Sequence, residues 1–205
     1  MTGPVVIKLG GSLALAAALK DWLGVIAAAR APVVVVAGGG PFADAVRQAQ
    51  AVMGFDDRAA HRMAILAMAQ FAEAIASLDD RLVLADSEDG IAAALEQRQP
   101  VLWNPIPLAL DPTIPHGWDV TSDSLAAWLA RRLRAAHLIV VKQVGRQRPP
   151  LSRHLLAERG IVDRAFPVMA CDVARLWIAD RDALPAVAAV VNGADPHETS
   201  LTRIS

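Results

Sequence analysis

Residues 33–50 read VVVVAGGGPFADAVRQAQ. The β-branched run predicts a buried strand over 32–37, and the residues after it predict a helix over 42–53 with Pro41 in its first turn, where proline is tolerated. Three successive glycines, Gly38 to Gly40, separate the two elements. Because one glycine is enough for a tight turn, three in a row indicate that a ligand or another backbone segment lies very close there.

The same order of strand, glycines and helix begins the chain. VVIKL predicts a strand over 5–9, Gly10 and Gly11 close it, and helix formers predict a largely buried helix over 12–30. Further elements follow, with predicted helices over 58–78, 90–98 and 122–134 and predicted strands over 81–85, 100–105, 137–144 and 184–193. Strands rich in Val and Ile, separated by helices, favour an α/β fold: a three-layer αβα sandwich with a mainly parallel central sheet.

Composition excludes several classes of protein. The 205 residues suit one domain or two small lobes, and 54% of them are hydrophobic. A formal net charge of −1 offers no basic surface, so we expect no nucleic acid and no membrane as partner. Apolar runs fall short of the roughly 18 residues of a membrane-spanning helix, and we expect no signal peptide. Cys171 is the only cysteine, which excludes an internal disulfide and favours a cytoplasmic location.

Two glycine-rich turns predict a phosphate site. KLGGSL (8–13) and AGGGPF (37–42) each follow a strand and precede a helix. At the carboxyl ends of parallel strands, backbone N–H groups and helix N-termini attract anions, and Lys8 is placed to add a positive charge. Each turn alone is equally consistent with an ordinary βα connection. Neither has the spacing of a Walker loop or of the G-x-G-x-x-G dinucleotide motif.

Polar residues cluster in WDVTSDSLAAWLA (118–130), where Asp119, Thr121, Ser122, Asp123 and Ser124 precede or begin a helix. Thr121 or Ser122 can cap the helix, but capping needs only one such side chain. A carboxylate beside a phosphate site can hold Mg²⁺ or fix a lysine in position.

Lys142 ends the apolar run HLIVVK, where a strand delivers its last side chains to the same edge of the sheet. The alternative to a role in the site is that the Lys142 side chain simply extends from the end of the strand into solvent.

Four of these segments, IKLGGSL, VVVVAGGGPFADAVR, WDVTSDSLAAWLA and LIVVK, resemble the amino acid kinase superfamily in order and spacing. The resemblance covers most of the chain. It implies a carbamate kinase-like fold, ATP and Mg²⁺ as cofactors, a small-molecule substrate and a homo-oligomer. It also implies one domain over 1–205, with an acceptor-binding lobe over 1–117 and a shortened nucleotide-binding lobe over 118–205.

The resemblance further implies roles for matching positions. Lys8, Asp123 and Lys142 would be catalytic, with Asp123 ordering the lysines. Residues that would bind the nucleotide are Lys8, Gly10, Gly11, Ser12 and Lys142. Residues that would bind the acceptor are Gly38, Gly39, Gly40, Arg58, Arg62, Thr121 and Ser122. Lys142 stands where many relatives have a Thr-Asp pair. The resemblance does not identify the metal ligands.

A narrower resemblance concerns the acceptor. AHRMAILAMAQ (60–70), LWNP and WDVTSDS are similar to the branch that phosphorylates [5-(aminomethyl)furan-3-yl]methyl phosphate in methanofuran biosynthesis. A phosphorylated acceptor needs additional cations, which Arg58, His61 and Arg62 could supply; the alternative is a solvated helix start. Trp103 and the proline-rich loop 105–115 could line the binding site of an aromatic acceptor. A core position for Trp103 is the simpler interpretation.

The chain departs from the superfamily after Val144. The segment there is short and rich in arginine, and no lysine follows Lys142, so Arg146, Arg148 and Arg153 could replace missing contacts. Two alternatives therefore stand beside an ATP-dependent furan phosphate kinase. One is a non-catalytic relative that binds a nucleotide or anion as a sensor or storage subunit, and the other is an acetylglutamate- or uridylate-type kinase.

Overall fold

A computed structural model describes residues 3–13, 17–145 and 151–205. The strands in these residues are β1 (Val5–Leu9), β2 (Val33–Ala37), β3 (Val83–Ala85), β4 (Val101–Trp103), β5 (His137–Lys142), β6 (Leu176–Asp180) and β7 (Thr202–Ile204). They form one sheet in the order β3-β4-β2-β1-β5-β6-β7, in which every neighbouring pair is parallel except β6 and β7. The sheet is therefore mainly parallel, as the sequence predicts.

Helices cover both faces of the sheet. In the described residues they are α1 (Leu19–Ala27), α2 (Gly40–Met53), α3 (Asp57–Ala76), α4 (Glu88–Glu96), α5 (Ile106–Ala109), α6 (Ser122–Arg132), α7 (Arg153–Glu158), α8 (Phe166–Met169) and α9 (Leu184–Val191). Short 3₁₀ turns occupy Gly11–Leu13 and Pro196–Glu198. None of the helices in 3–13, 17–145 and 151–205 is both long enough and apolar enough to cross a bilayer.

The central strand β1 shows how the layers form. All five of its residues are buried, and strand geometry sends alternate side chains to opposite faces. Val6 packs into the core that holds α6, and Ile7 packs into the core that holds α1 and α9. The α/β fold class with helices on both faces is confirmed.

Two sequence-based predictions of elements were wrong. The strand predicted over 184–193 is instead the helix α9 (Leu184–Val191), with a proline in its first turn. A short apolar run does not distinguish a buried strand from a buried helix. The helix predicted over 12–30 is shorter: Gly11–Leu13 is a 3₁₀ turn and α1 begins at Leu19. The strands β6 and β7 were not predicted.

The two glycine turns pack against each other, which explains Gly11 and Gly38. We call residues 10–13 the first glycine loop and residues 38–41 the second. A Cβ on Gly38 would lie 2.8 Å from the backbone nitrogen of Gly11, and a Cβ on Gly11 would lie 2.8 Å from that of Gly40. Gly40 has a φ of +51°, which other residues rarely adopt. The close approach expected from three glycines is therefore made by the protein's own backbone.

We predict that Gly38→Ala lowers the free energy of unfolding by about 1–3 kcal/mol, because the new Cβ displaces the backbone of the first loop. Gly24 is the matched control, since it lies inside α1 with open space around its Cβ position. Gly24→Ala should raise the free energy of unfolding by about 0.5–1 kcal/mol. Urea denaturation measures both, and a Gly38→Ala variant as stable as the parent would contradict the contact.

Candidate active site

The site lies at the carboxyl edge of the sheet, where β1, β2 and β5 end together. Lys8 is the penultimate residue of β1 and pairs in register with Val140 of β5. Lys142 lies two residues beyond Val140, so the two lysine side chains leave the same face of the sheet. Helix α6 covers that face and begins at the same edge, which places Asp123 in its first turn opposite both lysines.

One carboxylate joins the two lysines. Lys8 Nζ lies 2.8 Å from Asp123 Oδ1, and Lys142 Nζ donates a hydrogen bond to Asp123 Oδ2 at 2.6 Å. The Lys8 and Asp123 side chains are only 3% and 2% exposed, whereas that of Lys142 is 20% exposed. We call this arrangement the lysine–aspartate bridge. Lys142 is its more exposed member.

Burial and charge act against each other in the bridge. Burial is the largest influence on Lys8 and lowers its pKa to about 8. The attraction of Asp123 raises this pKa, whereas the repulsion of Lys142 lowers it further. For Asp123, burial favours the neutral form, but Lys8 and Lys142 outweigh it and hold its pKa below the usual range. At neutral pH the bridge therefore carries two positive charges and one negative charge, which suits the binding of an anion.

Two cavities meet at the bridge. The first has a volume of about 360 Å³ and lies between the two glycine loops, α2 and α3. The second has a volume of about 790 Å³ and lies beside the segment that connects α7 and α8. Four residues line both cavities: Trp118, Thr121, Asp123 and Lys142. A group bound in one cavity can therefore reach a group bound in the other across the bridge.

Most of the predicted site residues come together here. Those that line the first cavity are Lys8, Gly11, Ser12, Gly38, Gly39, Gly40, Thr121, Ser122, Asp123 and Lys142. Gly10 lies just behind them, since a Cβ there would be 3.9 Å from Lys8 Nζ. Arg58 and Arg62 are exposed and line neither cavity.

Three other expectations concern residues away from the bridge. Trp103 is buried in the core and stacks on Trp128, with ring centroids 6.4 Å apart, so it does not wall either cavity. Arg153 Nη2 donates to the Val173 carbonyl at 2.8 Å and also lines neither cavity. Arg146 and Arg148 lie outside the described residues.

His61 lines the first cavity. Its Nδ1 lies 3.3 Å from the Gly117 carbonyl oxygen, so Nδ1 carries a proton and donates to that oxygen. Burial is the largest influence on this imidazole and lowers its pKa, because a desolvated ring binds a proton less readily. This direction acts against a cationic His61, and a contribution of His61 to anion binding stays a prediction.

Arg47 is a cavity residue that the sequence analysis missed. Its guanidinium carbon lies 4.4 Å from the ring centroid of Trp118, and its Nη1 lies 2.8 Å from Asp44 Oδ1. The Trp118 indole N–H donates to Gln50 Oε1 at 2.6 Å. Arg47 and Gln50 stand three residues apart, so they share one face of α2. That spacing was visible in the sequence, but nothing there showed that Trp118 packs against it.

We predict that Asp123→Asn lowers the free energy of unfolding at pH 7 by about 3–5 kcal/mol, because it leaves buried lysines without a counter-charge. The loss should shrink as pH rises from 7 to about 8 and then level off, since without Asp123 the folded variant gives up the Lys8 proton at a lower pH than the folded parent, in which the pKa of Lys8 is about 8. Urea denaturation across this range tests both points. Asp172→Asn is the control, an exposed carboxylate 2.7 Å from Arg131, and its effect should stay within about 1 kcal/mol. Equal effects of the two variants would contradict a buried bridge.

Comparison with known proteins places this geometry in a family. A [5-(aminomethyl)furan-3-yl]methyl phosphate kinase of Methanocaldococcus jannaschii is 26% identical over 145 residues, which is 68% of this chain. The match spans 65% of the length of that relative. UMP kinase from Ureaplasma parvum has a similar structure, with a TM-score of 0.70 at 16% identity and complete coverage of both chains.

A second solved structure is carbamate kinase from Giardia lamblia bound to AMP-PNP. Its TM-score is 0.55 at 15% identity, and the match covers 99% of this chain and 98% of the other. These structural likenesses show the fold. The amino acid kinase family model itself matches residues 3–146, which hold both glycine loops, Asp123 and Lys142. The predicted fold is thus confirmed, and the chain belongs to the amino acid kinase family.

Proposed function

We propose that the chain transfers the γ-phosphoryl group of ATP to a small acceptor that already carries a phosphate. The observation that carries this proposal is the lysine–aspartate bridge at the junction of two cavities. Phosphoryl transfer requires two substrates held in line and their negative charge offset, and it needs no nucleophile from the enzyme. Two lysines with one carboxylate between two cavities meet that requirement.

The nucleotide is assigned to the second cavity. Carbamate kinase, which matches nearly the whole chain, has been seen with AMP-PNP, and this supports an ATP site. Within one domain, residues 118–205 would then form a short nucleotide lobe and residues 1–117 the acceptor lobe. Lys142 lines both cavities, whereas Lys8, Gly11 and Ser12 line only the first, with Gly10 just behind them. These five residues would contact the nucleotide phosphates where the γ-phosphate reaches across the bridge.

Mg²⁺ would reach this site with the phosphates of ATP. Asp123 Oδ2 accepts a hydrogen bond from Lys142 and Oδ1 lies 2.8 Å from Lys8 Nζ, so the lysines already offset the charge of this carboxylate. In residues 3–13, 17–145 and 151–205 no three His, Cys, Asp or Glu side chains group as metal ligands. Phosphate oxygens and water are the ligands that Mg²⁺ favours in such sites, and the bound ion would offset charge on the transferring group.

The first cavity is suited to a small anion with an apolar body. Its volume of about 360 Å³ lies at the lower end of ligand pockets, which run from roughly 300 to 1,000 Å³. Gly38 to Gly40 lie at the start of the 14-residue helix α2, whose N-terminus attracts anions. Ile65 and Met68 add an apolar wall, and Trp118 adds an aromatic one. The furan phosphate kinase relative supports [5-(aminomethyl)furan-3-yl]methyl phosphate as the acceptor.

In the proposed step an oxygen of the acceptor phosphate attacks the γ-phosphorus of ATP. The bond from that phosphorus to the β–γ bridging oxygen breaks, ADP leaves with the electron pair, and the acceptor becomes a diphosphate. Lys8 is largely protonated at neutral pH, because its pKa is about 8, and Lys142 is its partner across Asp123. Together they would offset the charge on the transferring group.

We also propose a homo-oligomer. On α3, Ile65, Met68 and Phe71 are core residues, but Met63 and Leu66 of the same helix are exposed. Exposed apolar side chains on one helix suit contact with a second copy of the chain. The cytoplasmic location stays a prediction.

The test is turnover by the purified protein with Mg-ATP and the furan phosphate, followed as ADP release and as diphosphate formation by ³¹P NMR. We expect turnover, and Lys8→Ala should reduce kcat at least about 100-fold, because charge stabilisation of the transferring group is lost. Lys20→Ala, which changes an exposed lysine, is the control and should match the parent.

Two outcomes would contradict this assignment. ATP binding without turnover on the furan phosphate, UMP or acetylglutamate would favour a non-catalytic relative. Preference for UMP or acetylglutamate would favour the corresponding kinase type.

A further inference from the structure

A second carboxylate, Asp163, stands beside the lysine–aspartate bridge. It belongs to the segment between α7 and α8 and lines the second cavity together with Thr121, Asp123 and Lys142. Its neighbour in sequence, Arg164, is exposed, whereas Asp163 turns inward toward the start of α6. Neither the sequence pattern nor the family resemblance drew attention to this residue.

Asp163 binds the residues on both sides of Ser122 and Asp123. Its Oδ2 accepts hydrogen bonds from the Thr121 backbone N–H at 2.9 Å, from Thr121 Oγ1 at 2.7 Å and from the Ser124 backbone N–H at 3.1 Å. Its Oδ1 accepts from Ser124 Oγ and from the Phe166 backbone N–H, the latter at 2.9 Å. The Asp163 carboxylate thus holds the backbone on both sides of the Ser122–Asp123 pair.

These bonds replace the ordinary cap of α6. The N-cap side chain Thr121 accepts from the Asp123 backbone N–H only at 3.5 Å, which is long for such a bond. Its hydroxyl hydrogen points to Asp163 instead. The start of α6 is consequently fixed from outside the helix, by a residue of the second cavity.

We infer that Asp163 is a positioning residue, which holds the first turn of α6 so that Asp123 stays between Lys8 and Lys142. The inference deepens the proposed function, because it concerns the same site. A helix start held by a weak local cap would fray within its first turn, and Asp123 lies in that turn. Displacing Asp123 by an ångström would separate it from two lysines that it now contacts at 2.8 and 2.6 Å.

The position of Asp163 has an energetic cost that supports this role. The backbone N–H groups of Thr121, Ser124 and Phe166 all donate to this carboxylate, which favours its ionised form in this geometry. Burial and the nearby Asp123 both raise the pKa of Asp163, which means that its charge is held there against desolvation and repulsion. The same negative charge helps Lys8 to keep its proton.

The test uses Asp163→Asn and reads the lysines directly. The chain has three lysines, Lys8, Lys20 and Lys142, so ¹³C labelling at lysine Cε gives three NMR signals that lysine-to-arginine variants assign. We expect the Lys8 titration midpoint to fall by about 0.5–1 pH unit in the variant, because both the placement of Asp123 and a neighbouring charge are disturbed. Lys20 should titrate as in the parent.

Kinetics provide the second measurement. If Asp123 is misplaced, kcat should fall about 10- to 100-fold, with a smaller change in KM for the acceptor. Asp172→Asn, an exposed carboxylate change, is the control and should alter neither measurement. A folded Asp163→Asn variant that is less stable but keeps the parent's Lys8 titration and kcat would overturn the inference.

Ser124→Ala keeps the inference testable if Asp163→Asn does not fold. It removes one hydroxyl donor to Asp163 and leaves the backbone bonds in place. The Lys8 midpoint should fall in the same direction by a smaller amount, and an unchanged midpoint would count against the inference. Because the titration needs no substrate, it tests the role of Asp163 even if the parent protein shows no turnover. Absence of turnover would overturn the proposed function but not this inference.

Discussion

The site depends on one interaction, the contact of the Asp123 carboxylate with two ammonium groups. Lys8 is almost completely buried, and an unpaired charge at that depth would be lost to deprotonation. The Asp123 carboxylate stabilises the positive charge of Lys8, and Lys142 on the neighbouring strand β5 contacts the same carboxylate. The sheet order that makes β1 and β5 neighbours is therefore also what brings the two lysines together.

The glycine loops give this charged edge its shape. They pack backbone against backbone and line the first cavity, which shares Asp123 and Lys142 with the second. Gly38 and Gly11 are constrained by the protein itself, so their presence alone does not demonstrate a bound phosphate. The case for phosphate rests instead on the positive charge between the cavities, which a packing role would not require.

Much of this could be predicted from the sequence. The β-branched runs ending in glycine gave the central strands, and TSDS at a helix start predicted where Asp123 lies, because short local patterns determine both. The residues that escaped prediction depend on distant contacts. Asp163 reaches α6 from a later loop, and the Arg47–Trp118 contact joins α2 to a distant segment. Arg58 and Arg62 were expected near the acceptor but are exposed, since charge composition does not show which way a helix start faces.

We propose that phosphoryl transfer takes place across the bridge. A crystal structure with a non-hydrolysable ATP analogue and the furan phosphate would show where the two substrates bind relative to it. We predict that the analogue lies in the second cavity with its terminal phosphate at the bridge beside the first glycine loop. The acceptor phosphate should lie in the first cavity beside the second glycine loop, and both phosphates should lie within hydrogen-bond distance of Lys8 or Lys142. Phosphates bound elsewhere, with both lysines still paired only to Asp123, would contradict it.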